Sequence, residues 1–119
     1  MVRRMLAGLA AAVLVLPFPA FAHAKLLSSS PGADTRLESA PRSLTLKFNE
    51  NVQLAVLKLT ADGKPIPVTF DRGAAAAPQV SVALPALVAG TYQVQWSALS
   101  ADDGHIVRGT FSFVIAGRS

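Results

Sequence analysis

From Ser43 to Phe48 the chain alternates strictly, with Leu44, Leu46 and Phe48 apolar and Ser43, Thr45 and Lys47 polar. A period of two predicts a strand with one face buried. Val80–Leu84 follows the same pattern, and in Thr91–Trp96 it places Tyr92, Val94 and Trp96 on one face. Leu54–Leu59 is a denser apolar run leading into Ala61-Asp62-Gly63-Lys64, whose Asp-Gly pair predicts a hairpin. Ile66–Phe70 is the expected return strand, with Pro67 confining it to an edge or to one unpaired side. Ile106–Ile115 is the expected last strand. Gly73–Pro78 reads as a loop, although its four successive alanines also fit one helical turn. No stretch beyond residue 22 sustains a 3.6-residue apolar period, and Pro, Gly and Asp turns recur at short intervals. The pattern predicts an all-β, immunoglobulin-like sandwich of about seven strands, with Phe48, Trp96, Phe111 and Phe113 in its core.

The first residues follow a different pattern. Met1-Val2-Arg3-Arg4 is basic, Met5–Leu16 is apolar, and Ala20-Phe21-Ala22 ends the stretch with small residues at its first and third positions. This is the layout of a secretory signal peptide, expected over residues 1–22 and cleaved after Ala22. Met5–Leu16 is too short to span a bilayer, which needs about 20 residues. Residues 23–119 then form the exported domain, expected in the periplasm. Its 97 residues suffice for one small core without staples. Loss of Arg3 and Arg4 lowers the formal charge from +4 to +2. No basic stripe with interleaved aromatics remains, which argues against a nucleic-acid partner. The chain has no cysteine, so disulfides, thiolate metal sites and thiol catalysis are excluded. Both methionines, Met1 and Met5, fall in the leader, so the exported domain has no thioether either.

Processing makes His23 the first residue, with a free α-amine beside its imidazole. The amine and Nδ1 can chelate one metal ion, and an ordinary amine pKa of about 7.7–8.0 lets a metal displace the proton near neutral pH. The plainer reading is a solvated chain end. The second of the two histidines, His105, stands in Asp102-Asp103-Gly104-His105, between the last two expected strands. In an extended segment Asp103 and His105 point to the same side. The plainer reading there is an Asp-Gly turn with a solvated histidine. Asp102 is a rival carboxylate, but its spacing to His105 is less suitable. Taken together, an amine, two imidazoles and a carboxylate without sulfur suit Cu(II) in tetragonal geometry. Lys25, Asp102 and Arg108 are expected to face solvent.

The sequence resembles the CopC copper-resistance family of periplasmic copper-binding proteins. The resemblance is carried by His23-Ala24-Lys25-Leu26 with Ser30-Pro31, by Leu37-Glu38-Ser39-Ala40-Pro41, and by Leu44-Thr45-Leu46-Lys47-Phe48-Asn49-Glu50. It continues through Ser100-Ala101-Asp102-Asp103-Gly104-His105 and Gly109-Thr110-Phe111-Ser112-Phe113. It implies a Greek-key β-barrel or sandwich that holds one Cu(II) per chain through His23 (amine and imidazole), Asp103 and His105. Glu50 is read as a support behind the ligands or as structural. Some members add a Cu(I) site in a methionine-rich loop, and the absence of methionine from residues 23–119 implies a Cu(II)-only member.

By that resemblance the expected function is a non-catalytic copper carrier or buffer in copper homeostasis and resistance, with an inner-membrane copper transporter of the CopD type as partner. The alternative is a small copper monooxygenase of the polysaccharide-oxidising type, which also grips copper with an N-terminal histidine. The short chain leaves little room for a polysaccharide-binding surface, and an Asp103 carboxylate would occupy the position that oxygen needs. A metal-free adhesive β-module is the third class.

Overall fold

The computed structural model describes residues 24–117, and within them every regular element is a strand. The expected signal peptide, residues 1–22, lies outside the described residues. The strands are β1 (Leu26–Ser30), β2 (Thr35–Leu37), β3 (Ser43–Ala61), β4 (Lys64–Ile66), β5 (Ala77–Ala83), β6 (Gly90–Ser100) and β7 (Ile106–Ile115). They join into a curled sheet in the order β1-β3-β6-β7-β2, with β4 and β5 also paired to β3. All pairings are antiparallel except β2 with β7.

β3 organises the molecule. The two expected strands at 43–48 and 54–59 are one continuous element, because Asn49–Gln53 stays extended between them. Its two ends serve different neighbours. β1 and β5 flank Ser43–Phe48, whereas β6 takes Val52–Ala61 and β4 takes Leu59–Ala61. Across Asn49–Asn51 the partner β1 gives way to β6, while β5 resumes its pairing at Val52, opposite Ala77. A bulge completes the change. Leu54 faces Ala98 and Val56 faces Ser97, so Ala55 is an extra residue. The buried positions accordingly shift from even (Leu44, Leu46, Phe48, Val52, Leu54) to odd (Leu57, Leu59). One added residue in a strand reverses the faces beyond it. On β6 the alternation is unbroken, burying Tyr92, Val94, Trp96, Ala98 and Ser100.

Phe48 meets Trp96 edge-on at 5.3 Å between centroids, and on the paired β6 and β7 Tyr92 stacks on its cross-strand neighbour Phe113 at 5.3 Å. Such pairs add roughly 0.5–1.5 kcal/mol beyond the apolar area they bury. The Tyr92 hydroxyl donates to Val88 O at 2.7 Å, fastening the 84–89 loop. Gly109 is required by contact, since a Cβ there would fall 2.9 Å from the Trp96 ring. Phe48, Trp96 and Phe113 occupy the core as expected, while Phe111 is half-buried against it.

The expected return strand shortens, the expected 73–78 loop is kept through Ala76 with Ala77 and Pro78 joining β5, and two strands add to those expected. The return strand at 66–70 is only Lys64–Ile66, because Pro67 has no N–H to extend the ladder. Gly73–Ala76 is irregular, turned by Asp71 and tied down where Gln53 Nε2 donates to Ala74 O at 2.9 Å. β1 and β2 have no clean alternation in sequence, and their neighbours define them. β1 lies on β3 and β2 lies beside Phe113–Ile115.

Candidate metal centre

Ser100 closes the β6–β7 hairpin. Its N–H donates to His105 O at 2.9 Å, and its carbonyl accepts from Gly104 N at 3.0 Å. Gly104 has φ +74°, a left-handed conformation that a side chain disfavours. This tight loop turns Asp103 back over His105. Asp103 Oδ1 accepts from the His105 backbone N–H at 3.0 Å, and Oδ2 stands 3.0 Å from His105 Nδ1. The structure therefore brings the expected carboxylate and imidazole together. Asp102 is exposed. Both members of the pair are reachable from solvent, His105 at 64% and Asp103 at 35% of side-chain exposure.

The electrostatics favour an ionised Asp103. The His105 backbone N–H, then the His105 ring and more weakly the Ser100 hydroxyl, lower its pKa from 3.8 to about 2. A metal ligand must be deprotonated, so this carboxylate is ready to bind. The 3.0 Å separation also fits shared coordination. Two donors each about 2.0–2.1 Å from one ion, at right angles, lie about 2.9 Å apart.

This pair alone is not a complete metal site. Among the described residues no group of three His, Cys, Asp or Glu side chains is placed to hold an ion. His23 lies outside the described residues. The strands nonetheless define which groups gather at this end. Val52 is paired with Ser100, and Ala101 N donates to Asn51 O at 3.0 Å, so the loop is bound to the bend of β3. On the other side of that bend Leu26 is paired with Phe48, and Lys25 is tied to Asn49. Ala24 is buried, at 4% exposure.

Glu50 lies between these two attachments. It is half-buried with Oε2 shielded from solvent, and by alternation it shares the inner face with Phe48 and Val52. Ser100, 1% exposed, ends the inner column of β6. Lys25 and Arg108 are exposed, as expected. Asn49, Asn51 and Ser100 hold the ends together without having been singled out from sequence. The signal for two of them is the polar run Asn49-Glu50-Asn51 interrupting the apolar alternation of β3.

The CopC domain family matches residues 26–116. Copper resistance protein C of Escherichia coli is 37% identical over 114 residues, covering 87% of this chain and 89% of that protein. The crystal structure of CopC from Methylosinus trichosporium OB3b is similar with a TM-score of 0.69 and 25% identity, covering 82% of this chain and 97% of that one. The crystal structure of PcoC, a methionine-rich copper resistance protein from Escherichia coli, gives a TM-score of 0.64 and 33% identity over 79% of this chain and 99% of that one. The strand arrangement and these similarities agree: the chain belongs to the CopC domain family.

Proposed function

We propose that this protein is a copper-handling protein of the periplasm, binding one Cu(II) per processed chain and carrying or buffering it without catalysis. His23 binds through its α-amine and imidazole, and Asp103 and His105 complete the donor set. The observation that carries the reading is the 3.0 Å approach of Asp103 Oδ2 to His105 Nδ1 at the end of the sandwich where β1 begins. The Leu26–Phe48 pair and the Lys25–Asn49 bonds lie next to Asn51, whose carbonyl already holds the Asp103 loop, and this supports the reading. Signal cleavage after Ala22 creates the amine, so full affinity follows export.

The oxidation state follows from the donors. PcoC is described as methionine-rich, whereas this chain has methionine only at positions 1 and 5. Nitrogen and carboxylate oxygen without sulfur favour Cu(II) over Cu(I). A carrier needs a partner, and an inner-membrane copper transporter of the CopD type is the proposed recipient. Glu50 supports the ligands from behind.

The test is Cu(II) titration of the processed chain with electron paramagnetic resonance of the loaded protein. One equivalent and a nitrogen-rich tetragonal spectrum are expected. His105→Ala and a chain with one residue added before His23 should each lose nitrogen coupling and affinity. A spectrum unchanged by the added residue would remove the amine from the site.

A further inference from the structure

Lys25 is fastened to β3 through a single residue. Its N–H donates to Asn49 Oδ1 at 2.7 Å, and its carbonyl accepts from Asn49 N at 3.2 Å. The regular β1–β3 ladder does not supply this hold. The register shifts between Leu26 and Ser28, leaving Leu27 as an extra residue that is 63% exposed. A bulge interrupts the ladder and bends the strand. Beyond it, among the described residues, the Leu26–Phe48 pair, the buried Ala24 and the two Asn49 bonds direct the chain. Asn49 also sits where β3 leaves β1 and approaches β6, two residues from the Asn51 carbonyl that holds Ala101. One side chain thus sets the course of the N-terminal segment relative to the Asp103 loop.

We propose that Asn49 is the positioning residue of the copper site, aiming the two residues before Lys25 at Asp103 and His105. This rests on His23 being a copper ligand. Asn49 contacts no metal. It lowers the freedom of the chain end that must otherwise be ordered when the ion binds, and pre-organisation of that kind appears directly as affinity. Only an acceptor oxygen at this position can meet the Lys25 N–H, so Asn and Asp are equivalent there and Ala is not.

The experiment measures Cu(II) affinity by chelator competition, and nitrogen coupling by electron paramagnetic resonance, for Asn49→Ala and Asn49→Asp. Each is made in the processed chain and in a background without an N-terminal donor (His23→Ala with one residue added before it). In the processed chain Asn49→Ala should bind about five- to tenfold more weakly, the worth of one hydrogen bond, with part of the N-terminal nitrogen coupling lost. Asn49→Asp should restore both. In the donor-free background Asn49→Ala should change nothing, and any gain from Asn49→Asp measures its charge alone. Equal weakening in both backgrounds, or none in the processed chain, would overturn the proposal. If the processed parent and the donor-free parent bind equally, the His23 assignment fails instead, whatever Asn49 does.

Discussion

Asp103 holds His105 at two points, accepting from its backbone N–H at 3.0 Å and meeting its ring Nδ1 at 3.0 Å. The carboxylate therefore fixes both the path of the chain and the orientation of the imidazole. In a metal site the residue that orients a histidine matters nearly as much as the ligand itself. Here one side chain can do both.

Asp103→Ala is expected to weaken Cu(II) binding by about 10- to 100-fold, read by chelator competition. Thermal melting of the metal-free protein should hardly move, because the pair is exposed and such pairs contribute little to stability. Affinity equal to that of the parent would exclude Asp103 from the site.

The acid response of Asp103 has a defined sign. Its folded-state pKa, about 2, lies below the ordinary 3.8 because the His105 N–H and ring favour the carboxylate. The contribution to stability is present above the unfolded value and is lost as pH falls from about 4 toward 2. Carboxyl-carbon nuclear magnetic resonance of the metal-free protein should show Asp103 titrating below its ordinary value of 3.8. His105→Ala should raise that midpoint only in part, since the backbone N–H remains.

Gly104→Ala should strain the loop. With φ at +74° and nothing within 4 Å of the new methyl group, the cost is conformational, about 1–2 kcal/mol. Urea denaturation reads the stability loss, and Cu(II) affinity should fall with it as the loop relaxes. Gly104→Asn should be tolerated better, because asparagine visits this region more readily.

Deleting Ala55 tests the bulge. Without Ala55, Val56 follows Leu54 directly, so Leu57 and Leu59 stay opposite Trp96 and Val94 and the buried side of β3 alternates without a break. No core leucine is displaced, so the variant should keep a cooperative melt. Loss of that melt would show that the bend the bulge imposes on β3 is needed for folding.

Tyr92→Phe removes the hydroxyl bonded to Val88 O. A loss of about 1 kcal/mol is expected by urea denaturation, with Cu(II) affinity unchanged because Tyr92 lies at the opposite end of β6 from Ser100. A parallel loss of copper binding would mean that the two ends of the sandwich are coupled.

Alternating residues in Ser43–Phe48, Val80–Leu84 and Thr91–Trp96 were sufficient to identify strands, their buried faces and the all-β class, because a period of two depends only on local geometry. Asp103 and His105 were equally legible as a pair, their spacing in one tight loop being local. The single long β3 was not legible, since its bulge at Ala55 has meaning only against Ala98 and Ser97 of β6. Nor were β1 and β2, which lack alternation and are strands through their neighbours. The clamp of Asn49 on Lys25 joins residues 24 apart in sequence, and no local pattern encodes that contact. The chain alone marks the candidate donors and the strand faces. Tertiary pairing decides that the bend of β3 carries both the start of β1 and the Asp103 loop, because hydrogen-bond partners across a sheet are set by register and not by sequence distance.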